Sequence, residues 1–198
     1  LLFLAGVCPI AMLIVLWVGY LSFCTVGSEF LSYQWDALLL EVGLIGIFFA
    51  LQTPPSPPMV FFLYFFAFRF AFSSGVVKWL SGDPTWRRCK ALDYHYYTQP
   101  IPNRLSWFAH WQPRWISRAT CFLALFIEII LPFFIPISEA VRVGVFGAWL
   151  LLQVVITLTG NYTFFTGITM GILVILLPDS CWEPLLGGVV TPELSPGN

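Results

Sequence analysis

Six apolar runs, at 1–26, 36–51, 59–80, 116–137, 141–158 and 162–177, occupy most of this 198-residue chain. A helix needs roughly 20 largely apolar residues to cross about 30 Å of hydrocarbon. Lipid offers no water to backbone N–H and C=O groups, so each run is expected to be a helix. The first run carries no charge, and Pro9 bends it or marks its true start. The second is short, and tilts little or begins in the interface. Pro54, Pro55, Pro57 and Pro58 then stop any helix and stiffen the connection. Thr159, Gly160 and Asn161 set a tight turn, or a break in one long segment, between the last two runs. The expected fold is all-α, a multi-pass transmembrane helical bundle of about six spans over 1–177. It carries one long polar loop at 81–115 and an irregular tail at 178–198. Only 10% of the residues are charged, against roughly 25% in soluble domains. That rules out a water-soluble globule, and with it a cytosolic enzyme, a nucleic-acid binder and a disordered tail. Because the sequence opens at Leu1 inside an apolar run, it is expected to be a piece of a longer protein, so absent targeting signals carry no weight.

Within the spans the charged residues are the informative ones. Arg69 lies at the centre of 59–80, Glu128 near the centre of 116–137, and Glu41 about a third of the way along 36–51. A charge at the bilayer centre costs on the order of 3 kcal/mol, so such groups face a protein interior or a wet cavity. Arg69, Glu41 and Glu128 are therefore expected to line a common interior. An equally good reading is a buried clamp in which Arg69 pairs with Glu41 or Glu128 and only fixes the packing. Ser73 shares a face with Arg69, next to Ser74 and Gly75, and small residues there let a neighbouring helix or a ligand approach. Lys78, nine residues after Arg69, lies about half a turn round the helix, where snorkelling to the interface accounts for it. Asp36 starts its helix and reads as a cap as much as a cavity residue. Pro132 and Pro136 should kink the fourth span just beyond Glu128.

Counting through Arg118, the loop holds Arg87, Arg88, Lys90, Arg104, Arg114 and Arg118 against Asp83 and Asp93, leaving 3 basic and 8 acidic residues elsewhere. Both histidines are here, within Asp93-Tyr94-His95-Tyr96-Tyr97 and at His110. Trp107, Trp111 and Trp115 recur every four residues, one aromatic stripe suited to the headgroup region. Pro113 interrupts it, so a short interfacial helix is expected from about Arg104 to Trp111. Asp93 and His95 share a side only on a strand, and no Ser or Cys elbow accompanies them, so His95 reads as a hydrogen-bonded structural residue. The histidine spacing does not suit zinc, and no metal, cofactor or nucleic acid is expected. Cys8, Cys24 and Cys121 sit in apolar runs as small hydrophobes. No CxxC exists, and six spans would place Cys89 and Cys181 on opposite sides of the membrane.

Four stretches carry a family resemblance. They are Phe-Arg-Phe-Ala-Phe-Ser-Ser-Gly-Val-Val-Lys-Trp-Leu-Ser-Gly-Asp-Pro-Thr-Trp-Arg from Phe68, Ala-Leu-Asp-Tyr-His-Tyr-Tyr-Thr-Gln-Pro-Ile-Pro from Ala91, Gln-Trp-Asp-Ala-Leu-Leu-Leu-Glu from Gln34, and Leu-Thr-Gly-Asn-Tyr from Leu158. Together they resemble the lipase maturation factor family over about 33–177. The resemblance implies a multi-pass endoplasmic-reticulum membrane protein that helps dimeric secreted lipases, such as lipoprotein lipase, reach their folded and active assembly. It implies as partners the bilayer and client lipases, a chaperone-like role and no enzyme. The family's membrane part is also distantly similar to that of the vitamin K-dependent carboxylase, so a membrane-embedded lipid- or quinone-dependent modifying enzyme is the alternative. It would close a hydrophobic cavity around Arg69 and Glu128 that opens near His95. A transporter would show discontinuous helices and internal symmetry, which the sequence lacks.

Two departures stand out. Tyr97 stands where the family usually has Glu after His-Tyr, and the family's large soluble C-terminal region is expected to be missing from this piece, which stops at Asn198. Charge bias would put the loop in the cytoplasm, whereas the resemblance puts it in the lumen. The resemblance weighs more, because the bias is statistical and the loop contains a membrane-lying helix. Asn161-Tyr162-Thr163 matches a glycosylation sequon at a membrane edge and is expected to be unused. The candidate cavity residues are thus Asp36, Glu41, Arg69, Lys78 and Glu128. The candidate loop residues are Asp93, His95 and Gln99, with Asp83, Trp86 and Arg87 holding the loop against the helix ends, and Gly160 and Asn161 form the turn.

Overall fold

The computed structural model describes residues 3–52, 54–162, 164–182 and 184. Among them every regular element is helical, which makes the chain an all-α membrane helical bundle. Most of the tail expected at 178–198, and Thr163 of the sequon, lie outside the described residues. The chain divides into two compact units, Leu1–Phe62 and Leu63–Asn198.

The first unit holds α1 (Pro9–Gly27), a 3-10 turn (Ser28–Leu31) and α2 (Gln34–Ala50). Pro9 opens α1 at its first position, where the missing N–H costs nothing. No residue of α1 is buried, as expected of a helix apolar on every side with lipid around it. Its tie to α2 is polar: Trp17 Nε1 donates to Leu40 O at 2.8 Å, and Tyr20 OH donates to Asp36 Oδ1 at 2.6 Å. Asp36 Oδ2 also accepts from the Tyr33 amide at 3.2 Å, closing a capping box.

The helix α3 (Pro57–Leu80) leads into the second unit, which continues with α4 (Pro84–Arg87), α5 (Ala91–Thr98), α6 (Arg104–His110), α7 (Arg114–Ile129), α8 (Glu139–Thr159) and α9 (Phe165–Leu173). Buried residues recur every three or four positions along the last three: Ser117, Cys121, Leu125 and Glu128 on α7; Arg142, Val145, Trp149 and Leu152 on α8; Thr166, Thr169 and Ile172 on α9. Val145 and Trp149 of α8, Ile172 of α9 and Ala67 and Ala71 of α3 meet at one apolar spot, where Trp149 is 2% exposed. A small apolar pocket stays open there, lined among others by Phe70, Pro132, Ile135, Trp149, Ile172 and Leu176. Because the surrounding lipid is as apolar as leucine, what holds such helices together is close packing and hydrogen bonding.

Among the described residues three helical stretches are long and apolar enough to cross a membrane: Pro9–Leu31, Pro57–Leu80 and Glu139–Thr159. Of the other three apolar runs, the second forms the 17 residues of α2, whereas the fourth and the sixth are shorter as helices than as sequence. Pro132 has no N–H to donate, so α7 ends at Ile129 and a 3-10 turn (Leu131–Phe134) follows. Its 16 residues reach about 24 Å. The carbonyl of Ile127 in that last turn is satisfied by Trp149 Nε1 at 2.9 Å.

The approach of α3 to α7 depends on Gly75. A Cβ there would lie 2.5 Å from Ile129 Cγ1 and 2.9 Å from Glu128 Cβ. Gly75→Leu should therefore push the helices apart and cost about 1–3 kcal/mol, read as a lower thermal midpoint in detergent micelles; an unchanged midpoint would mean that the contact does not form.

Candidate functional site

The polar loop begins by folding back on the end of α3. Gly82, at φ +79°, makes the turn, a left-handed conformation that only glycine adopts without strain. Asp83 then caps α4, its Oδ1 accepting from the Thr85 amide at 2.8 Å, and that bond holds its carboxyl below the usual range. Arg87 Nε donates to Trp79 O at 3.0 Å and its guanidinium lies over the Trp79 ring. The Trp86 ring stands 5.8 Å from Lys78 Nζ. Asp83, Trp86 and Arg87 thus lie at the C-terminal end of α3.

Lys78 reaches inward from there. Its Nζ donates to both carboxylate oxygens of Glu128 at 2.6 Å and to Ser74 O at 3.2 Å. Glu128 is 4% exposed, and its negative charge is met by Lys78, which turns inward where snorkelling would carry it to the interface. Arg69 and Lys78 point to opposite sides of α3, being nine residues apart. Arg69 is exposed, with its guanidinium 5.6 Å from the Phe66 ring centre. Glu41 is half-buried in α2, and Asp36 is the buried capping residue of the first unit.

The second half of the loop closes the end of α8. The last carbonyls of a helix have no partner within it, and here they meet two side-chain amides. Gln99 Nε2 donates to Thr159 O at 2.9 Å; Asn103 Nδ2 donates to Leu158 O at 2.9 Å, Gly160 O at 3.2 Å and Thr157 O at 3.4 Å. Asn103 works in two directions, since its Oδ1 accepts from the Ser106 amide at 2.8 Å and so caps α6. One helical turn before Gln99, His95 Nε2 meets Tyr162 OH at 2.6 Å with the two rings stacked. Burial pushes the His95 imidazole below its ordinary pKa, which favours the neutral ring in this hydrogen bond. Tyr96 is buried, and its phenol is pushed up by that burial. Asp93 is half-buried, Tyr94 and Tyr97 are exposed, and the Tyr97 ring packs on His110. Gly160 is buried and Asn161 exposed.

Two residues outside the sequence expectations prove structural. Asn103 was legible only as a helix cap before Arg104. Arg142 closes the opposite end of the bundle, its Nε donating to Leu176 O at 3.2 Å and its guanidinium 4.7 Å from the Tyr64 ring centre. Among the described residues no group of three or more His, Cys, Asp or Glu is placed to hold a metal. The apolar pocket lies between α3, α8 and α9, lined by neither Glu128 nor His95.

Residues 1–184 match the family model described as the lipase maturation factor transmembrane domain. The chain is 41% identical to lipase maturation factor 2 of Rattus norvegicus over 184 residues, 84% of this chain and 26% of the relative. The human protein of that name is 40% identical over 185 residues, 84% of this chain and 26% of the relative. Lipase maturation factor 1 of Bos taurus is 33% identical over 175 residues, 84% of this chain and 31% of the relative. The chain therefore spans about a quarter of the length of the first two. No solved structure matches it.

Lys78→Met strands the buried Glu128 carboxylate and should cost about 3–5 kcal/mol of stability; adding Glu128→Leu should recover most of it in thermal unfolding, and a double variant no better than the single one would count against the pair. For His95, carbon-detected NMR titration should place the imidazole below the ordinary value of about 6.5. With the folded pKa depressed and the unfolded one ordinary, the loop is fully stable above about pH 6.5 and loses stability as pH falls toward the folded pKa. A titration at or above 6.5 contradicts the buried, neutral imidazole.

Proposed function

Since the chain belongs to the lipase maturation factor family, we propose that its helices and loop serve the maturation of secreted lipases in the endoplasmic-reticulum membrane. In this reading the loop faces the lumen and helps homodimeric clients such as lipoprotein lipase fold and assemble. The protein does so as a chaperone-like factor, without a reaction of its own.

One observation supports the reading above the others. The motif from Asp93 to Asn103 is fastened at three points to the end of a helix long enough to span the membrane, through His95 to Tyr162, Gln99 to Thr159 and Asn103 to Leu158. Those bonds hold Tyr94 and Tyr97, 49% and 57% exposed, on a surface fixed relative to the membrane. Rigid aromatic side chains bind partners with little loss of conformational freedom, so a pre-set surface of this kind suits docking of a folding client.

Asp93→Ala with His95→Ala, made in the full protein, should lower secreted lipase activity several-fold at equal expression of factor and lipase. Tyr162→Phe should act in the same direction through the loop's position. Unchanged lipase activity would sink the role given to the loop.

A further inference from the structure

We propose that α6 and the first turn of α7 form a contact site for anionic phospholipid headgroups. Three independent observations meet there. The first is position: Asn103 sits at the start of α6 and bonds the last carbonyls of α8, so α6 begins at the level where a membrane-length helix ends. The second is surface. Ser106 faces inward at 1% exposure, whereas Trp107, Phe108, Trp111 and Trp115 are 61%, 63%, 69% and 70% exposed. Aromatic area of that extent is not left to water, and an indole, apolar with one N–H, suits the headgroup boundary.

The third is charge. From Gln99 to Arg118 the chain holds Arg104, Arg114 and Arg118 and no acidic residue, and all three arginines are exposed. Arg114 and Arg118 stand one helical turn apart on the same face of α7. A guanidinium binds phosphate through paired donors, and a net positive strip favours a net negative leaflet over a zwitterionic one. An acidic soluble partner would answer the arginines but would leave the four rings without an apolar phase at that depth.

The test uses the delipidated chain in detergent, offered phosphatidylserine and phosphatidylcholine together, with retained lipid read by native mass spectrometry. Phosphatidylserine should be retained preferentially. Arg104→Gln, Arg114→Gln and Arg118→Gln should each lower that retention about fivefold without changing phosphatidylcholine. In vesicles containing phosphatidylserine, a nitroxide at Leu105→Cys should be open to dissolved oxygen and shielded from a water-soluble nickel chelate. Equal retention of the two lipids, no loss in the arginine variants, or a nitroxide open to the chelate would each overturn the proposal, the last by leaving the aromatic face to a soluble partner.

Discussion

Every helix that ends in or beside a bilayer leaves carbonyls that its own turns cannot satisfy and that lipid cannot satisfy either. In the second unit several of these carbonyls are met by a side chain from another element. Trp149 serves the end of α7, Arg87 the end of α3, Gln99 and Asn103 the end of α8, and Arg142 the turn after α9. The donors are large, planar or branched groups, and reaching a carbonyl fixes where their own helices lie. Closing the helix ends and packing the helices are therefore one problem with one solution. This is why so polar a loop belongs to so apolar a chain.

What the sequence shows of this arrangement follows the range of the interactions. The short helix is legible from Trp107, Trp111 and Pro113 because stripe and stop are local, and it runs from Arg104 to His110. The break after Glu128 was readable because a proline acts on its own helix. The span count was harder, since hydropathy measures apolar length and takes no account of where hydrogen bonding stops. The amide of Asn103 reaches across 55 residues to Leu158, and nothing in either local pattern marks the other. Arg142, near the start of an apolar run, has the local pattern of an ordinary interfacial charge.

The charges show the same limit. Depth along a span does not by itself say which acid a base meets. The face of the helix matters as much as depth: on α3 the inward basic residue is Lys78, close enough for its Nζ to touch both oxygens of Glu128 because Gly75 lets the backbones approach. Arg69, half a turn round, lies on another side of the helix. Angle around the axis, simple to count, separates the two bases better than distance along the chain.

Asn103 also imposes an order on synthesis. Its carbonyl oxygen can cap α6 as soon as Ser106 has been made, but its amide must wait for Leu158 and Gly160. At typical elongation rates that gap is roughly three to ten seconds. During it the loop is already clear of the ribosome with its helix started and its anchor missing. Fixing the loop thus reports that α8 has been inserted, so the surface it carries becomes set only once the membrane part beneath it is in place.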